Sequence, residues 1–413
     1  MDRPTFQRPT PFASEADILL ADVLARVQLP PGKYEVAEGR YHTLAEWMER
    51  DGSPLRGSVR RVYGQGGVAQ GSSVAARATN DEFDVDAMVE LGPWIDQGPQ
   101  YVLDLLYHTI RGERGSRYYD VTTRCTRCVQ VQYADRMHVD LTPAVLQPGM
   151  PERQSTIFHH RHETPHVPGR RITANPFGFT SWFKDMTPPE PIFSLAFAAE
   201  ERALAKADTE PLPAQVGPHG MSRALASLQL TKRFRNLRYD RRDCRCVPSV
   251  LLARLVAGYS AQAVTFAAAV LEHAQALFNR FASHVQAGTL IHAVNPACAA
   301  DVLTDRWPHS MSDQLTWLND LRHLVRQLDR YVHGALTLTE RKTILSDLYG
   351  EDAAGAAVLE FATRLGRSKD DGTARYERGT GRLLLPAAAA ASSASAARAV
   401  PATRYYGGPT WRG

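Results

Sequence analysis

Asp84-Val85-Asp86 sits in the run Phe83 to Leu91, where apolar residues occupy every second position. That alternation predicts a strand with one buried face, and in a strand residues i and i+2 point the same way. Phe83, Val85, Ala87 and Val89 then face a core, and both carboxylates face the opposite, accessible side. A second alternating pair, Val129–Tyr133 and Met137–Leu141, is joined by Ala134-Asp135-Arg136 and predicts a β-hairpin. Val139 and Leu141 point inward there, so His138 and Asp140 point out. If this hairpin lies beside the first strand, Asp84, Asp86 and Asp140 converge. Close carboxylates repel one another, and divalent cations relieve the repulsion. Mg²⁺, with Mn²⁺ as a substitute, is the hard ion that takes carboxylate and phosphate oxygens. Two such ions about 3.5–4 Å apart activate an attacking hydroxyl and stabilise a leaving pyrophosphate. A D-x-D on its own also fits a solvated strand face; the third aspartate and the loop upstream favour a metal site.

That loop is Gln65-Gly66-Gly67-Val68-Ala69-Gln70-Gly71-Ser72. Its glycines allow backbone N–H groups to approach phosphate oxygens closely. No Gly-Lys-Ser/Thr follows, so it is not a Walker A loop.

The elements that position these groups divide the chain in two. Ser14 to Val27 reads as a capped first helix, and Tyr41 to Met48 as further helix. Ser58 to Tyr63 is β-like, Pro143 is expected to end the second hairpin strand, and residues 147–170, rich in Pro, His and Arg, read as a loop. From about Thr180 the pattern is helical, over 193–207, 221–238, 248–285, 313–334 and 339–365. The pattern reads as α+β: a mixed α/β front half, then a mostly helical back half. The expected boundaries are 1–180 for the core with its helical lead-in, 181–366 for the lobe and 367–413 for a flexible Ala/Ser/Gly-rich tail. Composition excludes other classes. With 44% hydrophobic and 22% charged residues, wholesale disorder is excluded. A net charge of +4 is too weak for a broad nucleic-acid surface. Five cysteines do not make a secreted disulfide scaffold. Met1-Asp2-Arg3-Pro4-Thr5 lacks a signal-peptide core and no apolar run spans a membrane, so a cytoplasmic location is expected.

With these motifs in order, the chain resembles the bacterial cGAS/DncV-like nucleotidyltransferases, or CD-NTases, of the polymerase-β-type superfamily. The loop is similar to the family's Q-G-S-x-x-x-G-T stretch, Asp84-Val85-Asp86 to its D-x-D, and Val139 to Ala144 to its third-aspartate strand. Asn175-Pro176-Phe177-Gly178-Phe179 with Trp182-Phe183, the helix Leu228 to Asn236, Pro248 to Leu252, Asn295-Pro296 and Arg306-Trp307 resemble further signatures. Position 67 departs: Gly stands where the family usually has a phosphate-contacting Ser, and Ser72 stands where Thr is usual. A shifted register would make Gly71-Ser72 the loop's Gly-Ser.

The resemblance implies a nucleotidyltransferase core, a mixed sheet with flanking helices, and a helical lobe with the active site in the cleft between them, in an Mg²⁺-dependent enzyme that joins nucleoside triphosphates, such as ATP and GTP, into a cyclic second messenger. It implies Asp84, Asp86 and Asp140 as catalytic metal ligands, and Gln65, Gly66, Gly67, Ser72, Lys232, Arg235 and Ser249 as nucleotide contacts. The product, a cGAMP isomer on this reading, would activate an effector in CBASS anti-phage defence. Alternatives are a cyclic trinucleotide synthase, a template-independent RNA nucleotidyltransferase or toxin, and an inactive nucleotide-binding scaffold. Ser249 reads equally as a triphosphate contact or a helix cap. Arg233 and Arg238 read as a solvated basic face and His138 as structural. Cys125-x-x-Cys128 with Cys244-x-Cys246 raises a zinc site, and His159 to His166 a second metal reading; ordinary thiols and a polar loop are the simpler expectations. A tether ending in Gly413 has the geometry for conjugation by a ubiquitin-transfer-like operon partner, or is a disordered end.

Overall fold

The computed structural model describes residues 11–29, 31–74, 83–164, 166–207, 220–373, 375–377, 383–384 and 397–399. The front half runs α1 (Glu15–Val27), α2 (Pro31–Glu49), β1 (Val59–Gly64), a short α3 (Gly66–Gln70), β2 (Phe83–Leu91), α4 (Pro99–Arg111), β3 (Thr122–Arg124), β4 (Val129–Gln132), β5 (Met137–Leu146), β6 (Ser155–His159), β7 (Arg170–Ala174) and α5 (Pro176–Met186). The strands form one sheet in the order β1-β2-β5-β4-β3, with β6 pairing β5 and β7. β2 and β5 are parallel and the other pairs antiparallel, so the sheet is mixed. Inward residues Val85, Val89, Val139 and Leu141 pack with Leu44 and Met48 of α2 and Val102, Leu103 and Leu106 of α4. That leaves the opposite face of the sheet for the polar side chains.

β5 continues through Pro143 to Leu146 rather than ending there. Pro143 falls between the last pair with β4, at Leu141, and the first with β6, at Ala144. A missing N–H costs no ladder bond on that edge. β6 also corrects the expectation of loop throughout 147–170: Thr156-Ile157-Phe158 pairs with β5 and β7 despite its Pro- and His-rich surroundings.

The back half runs α6 (Pro191–Ala207), α7 (Arg223–Tyr239), α8 (Ser249–Ala257), α9 (Phe266–Gln286), the hairpin β8–β9 (Val294–Asn295, Cys298–Val302), α10 (Met311–His333), α11 (Leu338–Tyr349) and α12 (Glu351–Asp370). Two expected long helices are each broken. The segment 248–285 is interrupted after Gly258, and 339–365 at Gly350, which takes φ +102°. α1 belongs to this lobe: Ile18, Leu19, Leu20, Val23 and Leu24 are buried with Phe193, Phe266 and Leu345. Its capping box works as expected, Ser14 accepting from the Asp17 N–H, and Asp17 also accepts from the Ala267 N–H at 2.8 Å. The sequence boundary that groups residues 15–27 with the sheet is therefore corrected by this packing.

The junction between core and lobe is built from motif residues. Asn175 accepts from the Gly178 N–H at 2.8 Å and caps α5. Its own N–H donates to Asp301, and its carbonyl accepts from Asn295 Nδ2 at 2.8 Å. At the C-terminal end, β10 (Arg375–Glu377), β11 (Leu383–Leu384) and β12 (Ala397–Ala399) pair antiparallel, a small sheet within a segment expected to be a plain tether. Gly413 lies outside the described residues. Among the described residues no helix is long and apolar enough to cross a membrane.

Candidate active site

In the parallel register of β2 and β5, Asp84 stands opposite His138 and Asp86 opposite Asp140. Phe83, Val85 and Ala87 are buried, whereas Asp84 is exposed and Asp86 half-buried. The alternation has done what it predicted, and the three carboxylates share one wall of a cleft of about 560 Å³ between sheet and lobe. Burial, then the charges of Asp140 and Asp84, push Asp86 up to about 7 against the pull of Lys232. Burial raises Asp140 as well, aided by Asp84 and opposed by the hydrogen bond from Gln130 Nε2 at 2.9 Å. Among the described residues no three His, Cys, Asp or Glu side chains are closed around a metal-sized point. The donor set nevertheless fits a hard divalent cation: carboxylate oxygens whose mutual repulsion already shows in Asp86.

The glycine turn is tied to this wall. The Gln65 N–H donates to the Asp86 carbonyl at 2.8 Å, and Gln65 Nε2 to Thr142 at 3.3 Å. Gly66 takes φ +59°, and a Cβ there would lie 2.6 Å from Asp86 Oδ2. A Cβ on Gly67 would lie 3.0 Å from Ser73 Oγ and 3.1 Å from Lys232 Nζ. The backbone therefore runs tight against both groups, with acid on one side and base on the other. The expected open loop is partly wound into α3.

α7 supplies the facing wall. Lys232 Nζ donates to the Ser72 carbonyl at 2.6 Å. Burial and Arg235 bring Lys232 down to about 7, opposed by Asp86 and Asp84. Arg235, buried, donates to the Val247 carbonyl at 2.7 Å and to Ser249 Oγ at 2.9 Å. Two cations taken out of water on one wall are costly unless an anion joins them. The site can thus gather a polyanion between Lys232 and the glycine turn, with hard cations held by the aspartates.

A family profile described as the Second Messenger Oligonucleotide or Dinucleotide Synthetase domain matches residues 18–185. The cyclic dinucleotide synthase CdnG of Bradyrhizobium diazoefficiens is 33% identical over 401 residues, covering 95% of this chain and 94% of that protein. The chain belongs to the CD-NTase family. It is a nucleotidyltransferase, a synthase of cyclic oligonucleotides. The structure of the same Bradyrhizobium CD-NTase in complex with GTP aligns with a TM-score of 0.74 at 30% identity, over 85% of this chain and 99% of that one. CdnC of E. coli MS115-1 with ATP aligns at 0.56 and 15% identity, over 82% and 98%, and shares the fold.

Within this CD-NTase most residues singled out from sequence meet in the cleft: Gln65, Gly66, Gly67, Asp84, Asp86, Asp140, Lys232, Arg235 and Ser249 all line it. Ser72 does not. It is fully buried, its hydroxyl donates to Gln70 at 3.2 Å, and Ser73 lines the cleft in its place. Ser249 is not a cap, since Pro248 holds that position and Ser249 bonds Arg235. Arg233 is not solvated: it is buried and donates to the Tyr349 carbonyl at 3.0 Å, and Arg238 pairs with Asp347. His159 donates no open metal site; its ring nitrogen accepts from Arg127 at 3.1 Å. Arg127, Arg245, Arg306 and Asn236 also line the cleft and carried no assigned role in the sequence. Arg306 lies in the Arg306-Trp307 signature and Asn236 ends the Leu228–Asn236 one, and these were the available signals.

Proposed function

We propose that this enzyme joins two purine nucleoside triphosphates, GTP and ATP, into a cyclic dinucleotide of the cGAMP type. The observation that carries the reading is the in-register pairing of Asp86 with Asp140, across the cleft from Lys232. The donor triphosphate sits along the glycine turn, with Lys232, Arg235, Ser73 and Ser249 around its phosphates. Asp84, Asp86 and Asp140 would hold Mg²⁺, which when bound supplies positive charge to the attacking hydroxyl and the departing pyrophosphate. A ribose hydroxyl forms a bond to the α-phosphorus, the bond to pyrophosphate breaks, and a second such step closes the ring. Arg127, Arg245 and Arg306 place further positive charge on the rim. The GTP bound in the Bradyrhizobium relative supports a guanine nucleotide as one substrate.

The product acts as a second messenger on a downstream effector in anti-phage defence, in the cytoplasm. The described surface gives no separate support for conjugation of the C-terminus, which lies outside the described residues. Labelled NTPs with Mg²⁺, followed by phosphatase and mass spectrometry of the resistant product, test the reading. A cyclic dinucleotide is expected. A three-base ring would change the ring size, labelled RNA would indicate a polymerase, and no turnover would leave a scaffold.

A further inference from the structure

Cys125 and Cys128 flank the two-residue turn Thr126-Arg127 between β3 and β4. The register Arg124↔Val129 brings them opposite one another, and the Cys125 N–H donates to the Cys128 carbonyl at 2.9 Å. Opposed residues in an antiparallel pair have Cα atoms about 4.5–5.5 Å apart. Disulfides take about 4.4–6.8 Å. Neither residue is fully buried. Cys128 lines the cleft together with Asp140, whose register partner Gln130 lies two residues further on, in β4. The turn is also fastened to the lobe, because Arg127 pairs with Asp305 and bonds His159.

We propose that Cys125 and Cys128 form a reversible oxidation site through which a hydroperoxide lowers nucleotidyl transfer. The inference rests on the functional reading of the cleft. One thiol attacks the peroxide, breaking its O–O bond, leaving a sulfenic acid and releasing an alcohol, or water from hydrogen peroxide. The second thiol then condenses with it, forming the S–S bond and releasing water. Two electrons pass from the sulfurs to the peroxide. The disulfide draws the Cys128 sulfur away from the wall it shares with Asp140, and it locks the turn that carries Arg127. In a reducing cytosol the thiol form dominates, so the switch is transient.

The test treats the full-length enzyme with hydrogen peroxide, alkylates remaining thiols and maps the peptides by mass. A Cys125–Cys128 link, lighter by two hydrogens than the dithiol, is expected. Turnover should fall at least about tenfold, since a misplacement of about 1 Å in the cleft costs on the order of 10²-fold, and return with dithiothreitol. Cys125→Ser should keep basal turnover and lose the peroxide response, while Cys246→Ser should keep both. A linked enzyme with unchanged turnover, a Cys125→Ser variant still inhibited by peroxide, or a Cys128–Cys246 link would each overturn the proposal. Reduced protein that makes no product would instead refute the functional reading, and the peptide map would still decide whether the pair oxidises.

Discussion

Gly66→Ala separates the contact with Asp86 from ordinary backbone strain. Gly66 has φ +59°, and an added Cβ would lie 2.6 Å from Asp86 Oδ2. Gly71 has φ +70° with nothing within 4 Å of such a Cβ. Both alanines therefore carry the left-handed backbone cost of roughly 1–2 kcal/mol. Only the first also displaces a carboxylate. Ordinary van der Waals contact begins near 3.4 Å, so Asp86 must yield by about 0.8 Å. A misplacement of about 1 Å at a reacting centre costs on the order of 10²-fold in rate. Denaturant unfolding should then rank the two variants together, within about 1 kcal/mol, while pyrophosphate release from NTPs with Mg²⁺ falls roughly 10²-fold further in Gly66→Ala than in Gly71→Ala. Equal turnover in the two would show that Asp86 need not hold its position, and the metal-wall assignment would fall with it.

Two further variants probe charge. Asp86→Asn removes one member of a repelling trio, so without divalent ions it should unfold no more easily than the parent. With Mg²⁺ it should lose the parent's gain in thermal midpoint and about 10³-fold in turnover; a retained Mg²⁺ shift would contradict the assignment. Asp22, fully buried on α1 near Arg364 and Glu200, is pushed up to about 8 by burial, with Arg364 opposing. The native state thus keeps a proton that the unfolded chain releases above about 4, and Asp22's contribution to stability falls as pH rises from about 4 to about 8. Asp22→Asn cannot ionise, so its stability relative to the parent should grow between pH 5 and pH 8, by on the order of 1–4 kcal/mol. A constant gap in denaturant titrations at the two pH values would refute this.

What could be read from the sequence was the part written in local periodicity. Asp84 and Asp86 alternate with residues that must be buried, so their face was legible before any partner strand was known. His138 and Asp140 alternate the same way. β6 was hidden because Pro, His and Arg around 155–159 outweigh three β-forming residues, and its pairing depends on strands on both sides. The breaks at Gly258 and Gly350 lie inside otherwise continuous apolar spacing; each glycine caps the helix before it, a local stop that the spacing outweighs in the sequence. Arg127 reached the cleft through a bond to Asp305, 178 residues away, which no spacing rule can see. The parallel pairing of β2 with β5 is likewise a tertiary fact: alternation supplied two faces, and only the fold put Asp86 opposite Asp140.

At position 67 the fold places a hydroxyl where the motif lacks one. A serine expected at 67 is replaced by Gly67, yet Ser73 Oγ lies 3.0 Å from where the Cβ of residue 67 would be. Ser73 sits beside Tyr34 at the far end of the same turn. The hydroxyl thus lines the cleft from six residues downstream. If it contacts phosphate there, Ser73→Ala should slow turnover roughly tenfold, the effect of one hydrogen bond to a charged group. Gly67→Ser alone should also slow the enzyme, because its Cβ presses on Ser73 Oγ and on Lys232 Nζ at 3.1 Å. In the Ser73→Ala background the first obstruction is gone and the new hydroxyl occupies the vacated space. The double variant should therefore be faster than either single one, a coupling of about 0.5–3 kcal/mol. Additive losses would mean that the two positions do not share one hydroxyl site, and that Ser73 only packs beside Tyr34.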